Sequence, residues 1–269
     1  MPPNAFSDLF AYLTQLMTTN APMFEAIGNR LYSSFTVIIV VWFGIECALR
    51  GGLPMDRFAR MILTISFGLA MTRYYSAPIP GFGVSFYHLV VDEGTQLANQ
   101  LNGAMVSNIL TRLGDLYWSV ETPGLSAVLN VIEVVRWAVT ILAIMAAVAA
   151  VFFVTSFGYI AAAICVLLGP VFIPFFIVPK MEWMFWGWLR ALLQYAFYPV
   201  VANAYIYVFG SVLINFVDQA GNDFSGAKIA VLFFPLLFLL IGFTWGLLKI
   251  PSLVNSLFTG KSGESALPF

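Results

Sequence analysis

Charge is what this chain has least of. Only 9% of its 269 residues are charged, against about 25% in an ordinary soluble domain. So few ionic side chains cannot cover a water-facing surface. The 61% apolar fraction makes a single membrane domain the natural reading. A formal net charge of −1 gives no electrostatic footing for binding nucleic acid over the chain as a whole. His88 is the lone histidine, which excludes a multi-histidine metal site. Beside Tyr87 and Leu89 it reads as a packed or interfacial polar tip. Cys47 and Cys165 both lie inside apolar runs, so neither a disulfide framework nor a cysteine-based metal site is expected. No Gly-x-x-x-x-Gly-Lys-Ser/Thr phosphate loop occurs, and no His-Glu-x-x-His zinc motif is possible. The apolar runs hold neither paired carboxylates for proton relay nor an Arg-rich voltage-sensing helix. With no acid, base, nucleophile or metal constellation, no catalytic residue and no cofactor are expected, and the protein is not expected to be an enzyme. Residues 1–30 contain Asp8, Glu25 and Arg30 rather than the basic start of a secretory signal, so a retained N-terminus is expected.

What is present in quantity is apolar sequence in long runs. A bilayer core of roughly 30 Å takes about 20 apolar residues in a helix. The runs predict an all-α, polytopic transmembrane protein with five to six spans and an outer amphipathic helix in a long central loop. Residues 4–17 read as an amphipathic helix. Phe6, Leu9, Phe10, Leu13, Leu16 and Met17 recur at helical spacing, with Asn4 as N-cap and Asn20-Ala21-Pro22 as the break that ends it. Its polar face lacks basic residues, so it suits the membrane interface and a protein partner equally. The first span is Leu31–Leu49, and a weaker second one covers Phe58–Tyr75. Glu46 lies about one turn from the end of the first span. It reads as a paired or snorkelling interfacial carboxylate, or as a functional intramembrane acid. Arg50, Arg57 and Arg60 cluster at this connection, which places it in the cytoplasm and residues 1–30 on the outer side.

Residues 76–136 form the longest polar stretch, a central periplasmic loop. It opens with Pro78, Pro80, Gly81 and Gly83, a turn rather than a helix. Leu97, Leu101, Met105, Ile109, Leu113 and Leu116 then repeat at near-helical steps. Asp92 and Glu93 at the start and Arg112 near the end suit the helix dipole, so an amphipathic helix is predicted over about 92–118. Its other face is rich in amides and hydroxyls, including Gln96, Asn99, Gln100, Asn102, Ser107, Asn108 and Thr111. That face suits packing on the membrane domain, a protein partner or a wet passage.

Residues 137–248 read as a C-terminal membrane domain. No charged side chain occurs over 137–178, too long a run for one span. The turn is expected at Thr155-Ser156-Phe157-Gly158, giving spans Trp137–Phe157 and Tyr159–Val178. Ala143, Ala146, Ala147, Ala149 and Ala150 permit close helix approach. Gly169, Pro170, Pro174 and Pro179 predict a broken helix. Broken backbone in lipid must be buried in protein or face water. Trp183, Trp186 and Trp188 stand among Lys180, Glu182 and Arg190, the composition of an aromatic interfacial segment. The next span, Ala191–Val217, is interrupted by Gln194, Pro199 and Asn203. A partnered amide in lipid contributes about 1 kcal/mol, so Asn203 reads as a helix-to-helix contact or, less simply, a substrate contact. A polar turn at Asp218–Lys228 precedes the last span, Ile229–Leu248, where Gly242 and Gly246 hold the close-packing Gly-x-x-x-Gly spacing, read as an oligomerisation signal. The tail, 249–269, carries Lys249 and Lys261 and reads as mobile. Six crossings would put both termini outside, and five would put the tail in the cytoplasm.

The region from Leu168 to Tyr195 is specific enough to carry a resemblance. Leu-Gly-Pro-Val-Phe-Ile-Pro-Phe-Phe-Ile-Val-Pro is followed by Phe-Trp-Gly-Trp-Leu-Arg-Ala-Leu-Leu-Gln-Tyr. Through Gly169, Pro170, Pro179, Phe185, Gly187, Trp188 and Leu189 this resembles the TrbL/VirB-six family, polytopic inner-membrane subunits of type IV secretion and conjugation systems. The strong match covers about thirty residues, and beyond it the likeness is one of layout. The resemblance implies a role and no reaction: a channel or assembly-platform subunit in the bacterial inner membrane, multi-pass, with a periplasmic N-terminus. It implies support for pilus assembly and for passage of DNA or protein substrates. The implied partners are further copies of the chain, pilin, a minor pilin stalk subunit, other inner-membrane secretion subunits and cytoplasmic ATPases. Transient contact with the transferred DNA or protein is also implied. The large extra C-terminal domain of some relatives is not expected here.

A different class of function, a self-contained secondary transporter of a small solute, would place Pro170, Pro174, Gln194 and Asn203 around a midplane site. The sequence shows no repeat of the proline-rich segment in its other half, which disfavours that reading.

Overall fold

The computed structural model describes residues 5–86, 88–89, 106–118, 120, 131–220 and 226–259. Among the described residues every regular element is helical. Helix α1 is Ala5–Arg50, α2 is Met55–Arg73 and α3 occupies 106–118. Helix α4, Val131–Phe172, runs into a 3-10 helix at Ile173–Ile177. Helix α5 is Glu182–Ala220 and α6 is Gly226–Thr259. Among the described residues four segments are long and apolar enough to cross a membrane: Thr19–Arg50, Val131–Ile177, Glu182–Gln219 and Val231–Phe258. In lipid, helix is the form in which a single segment satisfies its own backbone, and the apolar runs obey that rule.

Several expected boundaries move. The break at Asn20-Ala21-Pro22 is absent, because α1 continues through Pro22. A proline forfeits one helical hydrogen bond, and its ring here is exposed, so the chain bears the loss without turning. The turn at Thr155–Gly158 is also absent, and the two spans expected there are one helix. The Thr155 hydroxyl donates back to the Val151 carbonyl at 2.7 Å, as small polar side chains in helices do. Gly158 is buried where a Cβ would crowd the Tyr198 ring. The aromatic segment at Met181–Arg190 is no separate layer, since α5 begins at Glu182 and continues to Ala220. The tail is helical as far as Thr259. Helix α2 carries Asp56, Arg57, Arg60 and Arg73 within nineteen residues, which makes it the least membrane-like of the long helices. The Asn4 cap, the 92–105 part of the amphipathic helix, the centre of the turn at Asp218–Lys228 and the end of the tail lie outside the described residues.

Other expectations stand. The Pro78–Gly83 stretch is a turn, with Gly81 at φ +90° and Gly83 at φ +73°, and the Phe82 and Gly83 amides both donate to the Ile79 carbonyl at 3.1 Å. Gly51, at φ +67°, lets the chain reverse between α1 and α2. Asp56 in the first turn of α2 and Arg73 in its last match the helix dipole.

The chain divides into two compact units. The first comprises Met1–Gly94 and Tyr159–Ala196, and the second Thr95–Gly158 and Phe197–Phe269. Met71, Tyr75, Val166, Ile173, Phe185, Trp188 and Leu192 form the core of the first. The second is larger and mostly aliphatic, with Ile109, Leu113 and Leu116 of α3 buried among residues of α4, α5 and α6 such as Val151, Ile206, Leu240 and Leu247.

Candidate functional site

The proline-broken end of α4 has a backbone problem that its sequence states outright. In an α-helix the amide of residue i donates to the carbonyl of i−4. Pro170 has no amide for the Val166 carbonyl, and Pro174 has none for the Pro170 carbonyl. A buried carbonyl left without a donor costs about 1–3 kcal/mol. The first of these is met from elsewhere in the first unit. The Tyr75 hydroxyl, just past α2, donates to the Val166 carbonyl. It reaches there because residue 169 is glycine; a Cβ at Gly169 would overlap the Tyr75 hydroxyl. Helix α1 lies close against the second carbonyl at Gly28, where any Cβ would overlap the Pro170 oxygen. A second bond comes from α5: the Trp188 indole Nε1 donates to the Cys165 carbonyl at 2.8 Å.

Aromatic rings close the site. Phe35 of α1 stands 5.4 Å from Phe175, ring centre to ring centre. Phe67 of α2 stands 5.6 Å from Phe176, and Phe185 of α5 stands 5.0 Å from Phe176. Tyr75 and Trp188 are 6.4 Å apart. Tilted pairs at such separations add about 0.5–1.5 kcal/mol beyond their burial. Gly68 of α2 is buried, and a Cβ there would come within 2.9 Å of Ile177 Cγ2 and 3.1 Å of the Tyr32 ring. Tyr32 in turn donates to the Ile65 carbonyl. The α4–3-10 junction is thus wedged between α1, α2 and α5 by close backbone approach and aromatic filling.

A sequence profile described as TrbL/VirB6 plasmid conjugal transfer protein matches residues 36–250. The chain belongs to the TrbL/VirB6 family. No curated protein matches it. As a TrbL/VirB6 member with four helices able to cross a bilayer, the chain is a membrane component of conjugal transfer and type IV secretion.

Of the residues that carried the resemblance, Gly169, Pro170, Phe185, Trp188 and Leu189 come together in this junction, with the candidate Pro174 beside them. Pro179 is exposed in the turn before α5. Gly187 faces open space, and Arg190 is exposed one turn from Trp186. The three tryptophans expected to share an interface separate: Trp183 and Trp186 are exposed, while Trp188 is buried. Glu46 pairs with Arg50 at 2.9 Å and with Arg57, so it ties the end of α1 to the start of α2. Asn203 is buried in the second unit. There too Gly242 and Gly246 serve an internal contact. A Cβ at Gly246 would overlap the Tyr205 hydroxyl, whereas one at Gly242 would meet only Phe209 Cζ at 3.5 Å. The Tyr205 hydroxyl lies 3.3 Å from the Gly242 carbonyl and 3.2 Å from that of Phe243.

Sequence reading passed over Tyr75, Gly28 and Gly68. Prolines 170 and 174 were the available signal, since each names the carbonyl four residues earlier that must find a donor or a close neighbour. Among the described residues no group of three or more His, Cys, Asp or Glu side chains could hold a metal ion.

Proposed function

We propose that this chain is a structural subunit of the inner-membrane complex of a type IV secretion system, part of its channel or assembly platform. It supports pilus assembly and the passage of DNA or protein, and it acts through packing rather than catalysis. The observation that carries this reading is the junction at Gly169–Ile177. A helix interrupted by two prolines receives hydrogen bonds from Tyr75 and Trp188 and the close approach of Gly28, from three other parts of the first unit. Such a junction makes a tightly packed scaffold, which suits a platform on which other subunits seat. Membership of the TrbL/VirB6 family supports the setting. Its partners are then further copies of the chain, pilin, the minor pilin stalk subunit, other inner-membrane subunits and the cytoplasmic ATPases. The arginine cluster at 50, 57 and 60 favours a cytoplasmic α1–α2 turn and a periplasmic N-terminus.

Gly169→Leu tests the reading. It drives a branched side chain into the Tyr75 hydroxyl, so donor cells carrying it should lose conjugal transfer, and the detergent-extracted protein should lose its oligomer and its copurifying subunits. Wild-type transfer and an unchanged oligomer in that variant would overturn the assembly role of the junction.

A further inference from the structure

Helix α3 buries one face and shows another. Ile109, Leu113 and Leu116 are enclosed in the core of the second unit, while Ser107, Asn108, Thr111 and Asp115 are exposed on the opposite side. Two contacts give the height of α3 along α5. Ile109 meets Gly210, where a Cβ would overlap Ile109 Cδ1. Arg112, three residues on, reaches Asp218 at 3.6 Å, eight residues on. Both contacts advance in the same sense, so α3 runs parallel to α5, and the long Arg112 side chain extends past its own backbone toward Asp218. At 1.5 Å per residue Gly210 lies about 12 Å from the level of Asp218.

That level lies within the candidate membrane span of α5, Glu182–Gln219. From Ala191 to Val217 α5 carries no charged residue, and at the height of Gly210 its exposed side chains are Tyr207, Val208 and Val212. Ser107, Asn108 and Thr111 share this height. The Thr111 hydroxyl is bonded to the Ser107 carbonyl at 2.9 Å, but the Asn108 amide is exposed. An amide turned toward lipid tails without a hydrogen-bonding neighbour costs roughly 2–7 kcal/mol. Hydrocarbon is therefore excluded from this face, although it suits the neighbouring face of α5.

We propose that the outward face of α3, from Ser107 and Asn108 through Thr111 to Asp115, lines a water-filled crevice that enters the membrane from the Arg112–Asp218 side. Water fits better than a second helix because the stripe leads without interruption to Asp115, whose carboxylate is exposed beside the Arg112–Asp218 ion pair. The inference rests on the membrane placement of α5 and is independent of the role in secretion.

Single cysteines decide it, placed in the full chain with Cys47→Ser and Cys165→Ala and assayed in intact membranes with a charged, membrane-impermeant maleimide. Only the thiolate reacts, and apolar surroundings suppress it, so Asn108→Cys and Thr111→Cys should react roughly tenfold or more faster than Val208→Cys and Val212→Cys. Equal, slow labelling of all four sites would overturn the crevice. So would slow labelling with a disulfide forming between two copies through residue 108, which would instead make the stripe a subunit contact. If Asn108→Cys does not accumulate, Ser107→Cys, which exchanges one oxygen for sulfur, gives the same readout.

Discussion

The two units solve helix packing with the same residue types and different stakes. In each, a glycine on one helix makes room for a tyrosine whose hydroxyl reaches backbone carbonyls: Gly169 with Tyr75 in the first unit, Gly246 with Tyr205 in the second. In the first unit the accepting carbonyl, Val166, has been stripped of its helical donor by Pro170, so the hydroxyl supplies a bond that nothing else does. In the second, the Gly242 and Phe243 carbonyls keep the amides of residues 246 and 247 as helical donors, and the hydroxyl adds a weak second bond to each. The rest of the second unit is held by aliphatic contact around Leu240, Phe243 and Leu247. A tyrosine above an intact helix is a packing residue. The same tyrosine above a proline-broken helix completes the backbone.

The largest expected effect falls where the obstacle cannot move. Gly28→Ala sets a methyl against the Pro170 carbonyl, a backbone atom fixed by its helix, and should cost about 3 kcal/mol, the upper end of overpacking. Unfolding in detergent, followed by circular dichroism, reads it, and a wild-type midpoint would break the account of the junction. Tyr75→Phe comes next. It removes the donor from the buried Val166 carbonyl, for a loss of about 2 kcal/mol. Gly246→Ala should cost less, about 1 kcal/mol, because the obstacle is the tip of the Tyr205 side chain, which can swing aside. Tyr205→Phe should be the mildest of the losses, about 0.5 kcal/mol, since its acceptors keep their helical bonds. If the two tyrosine variants unfold alike, the contrast between the units collapses.

Gly187→Ala sharpens the comparison from the other side. Gly187 lies in α5 with nothing within 4 Å of a Cβ, so alanine should stabilise the isolated chain by about 0.5 kcal/mol through helix propensity. A drop in conjugal transfer despite that gain would then assign Gly187 to a contact with another subunit, and unchanged transfer would leave it without one.

The apolar runs made the helical class and the membrane setting legible, because run length and the scarcity of charge are properties of composition. The prolines at 170 and 174 announced a broken helix, and the structure has one at Phe172. The inner face of α3 followed from the spacing of Ile109, Leu113 and Leu116, and all three are buried. The turns expected at Pro22 and at Thr155–Gly158 were not there. A proline or a Thr-Ser-Gly cluster marks a turn in water, where freed backbone groups find solvent. In an apolar setting the backbone stays helical. Trp188 misled for a related reason. Its neighbours Trp183 and Trp186 behave as exposed aromatics, but helical spacing turns Trp188 inward onto the Cys165 carbonyl.

By itself the sequence determined that this chain is helical, lies in a membrane and has a helix that must lose backbone hydrogen bonds at Pro170 and Pro174, because hydropathy and the missing proline amide are written residue by residue. Only the tertiary structure decided which group answers the stranded Val166 carbonyl. Tyr75 lies 91 residues from Val166 in the chain. A donor and an acceptor that distant are matched by how helices pack, which no local spacing records.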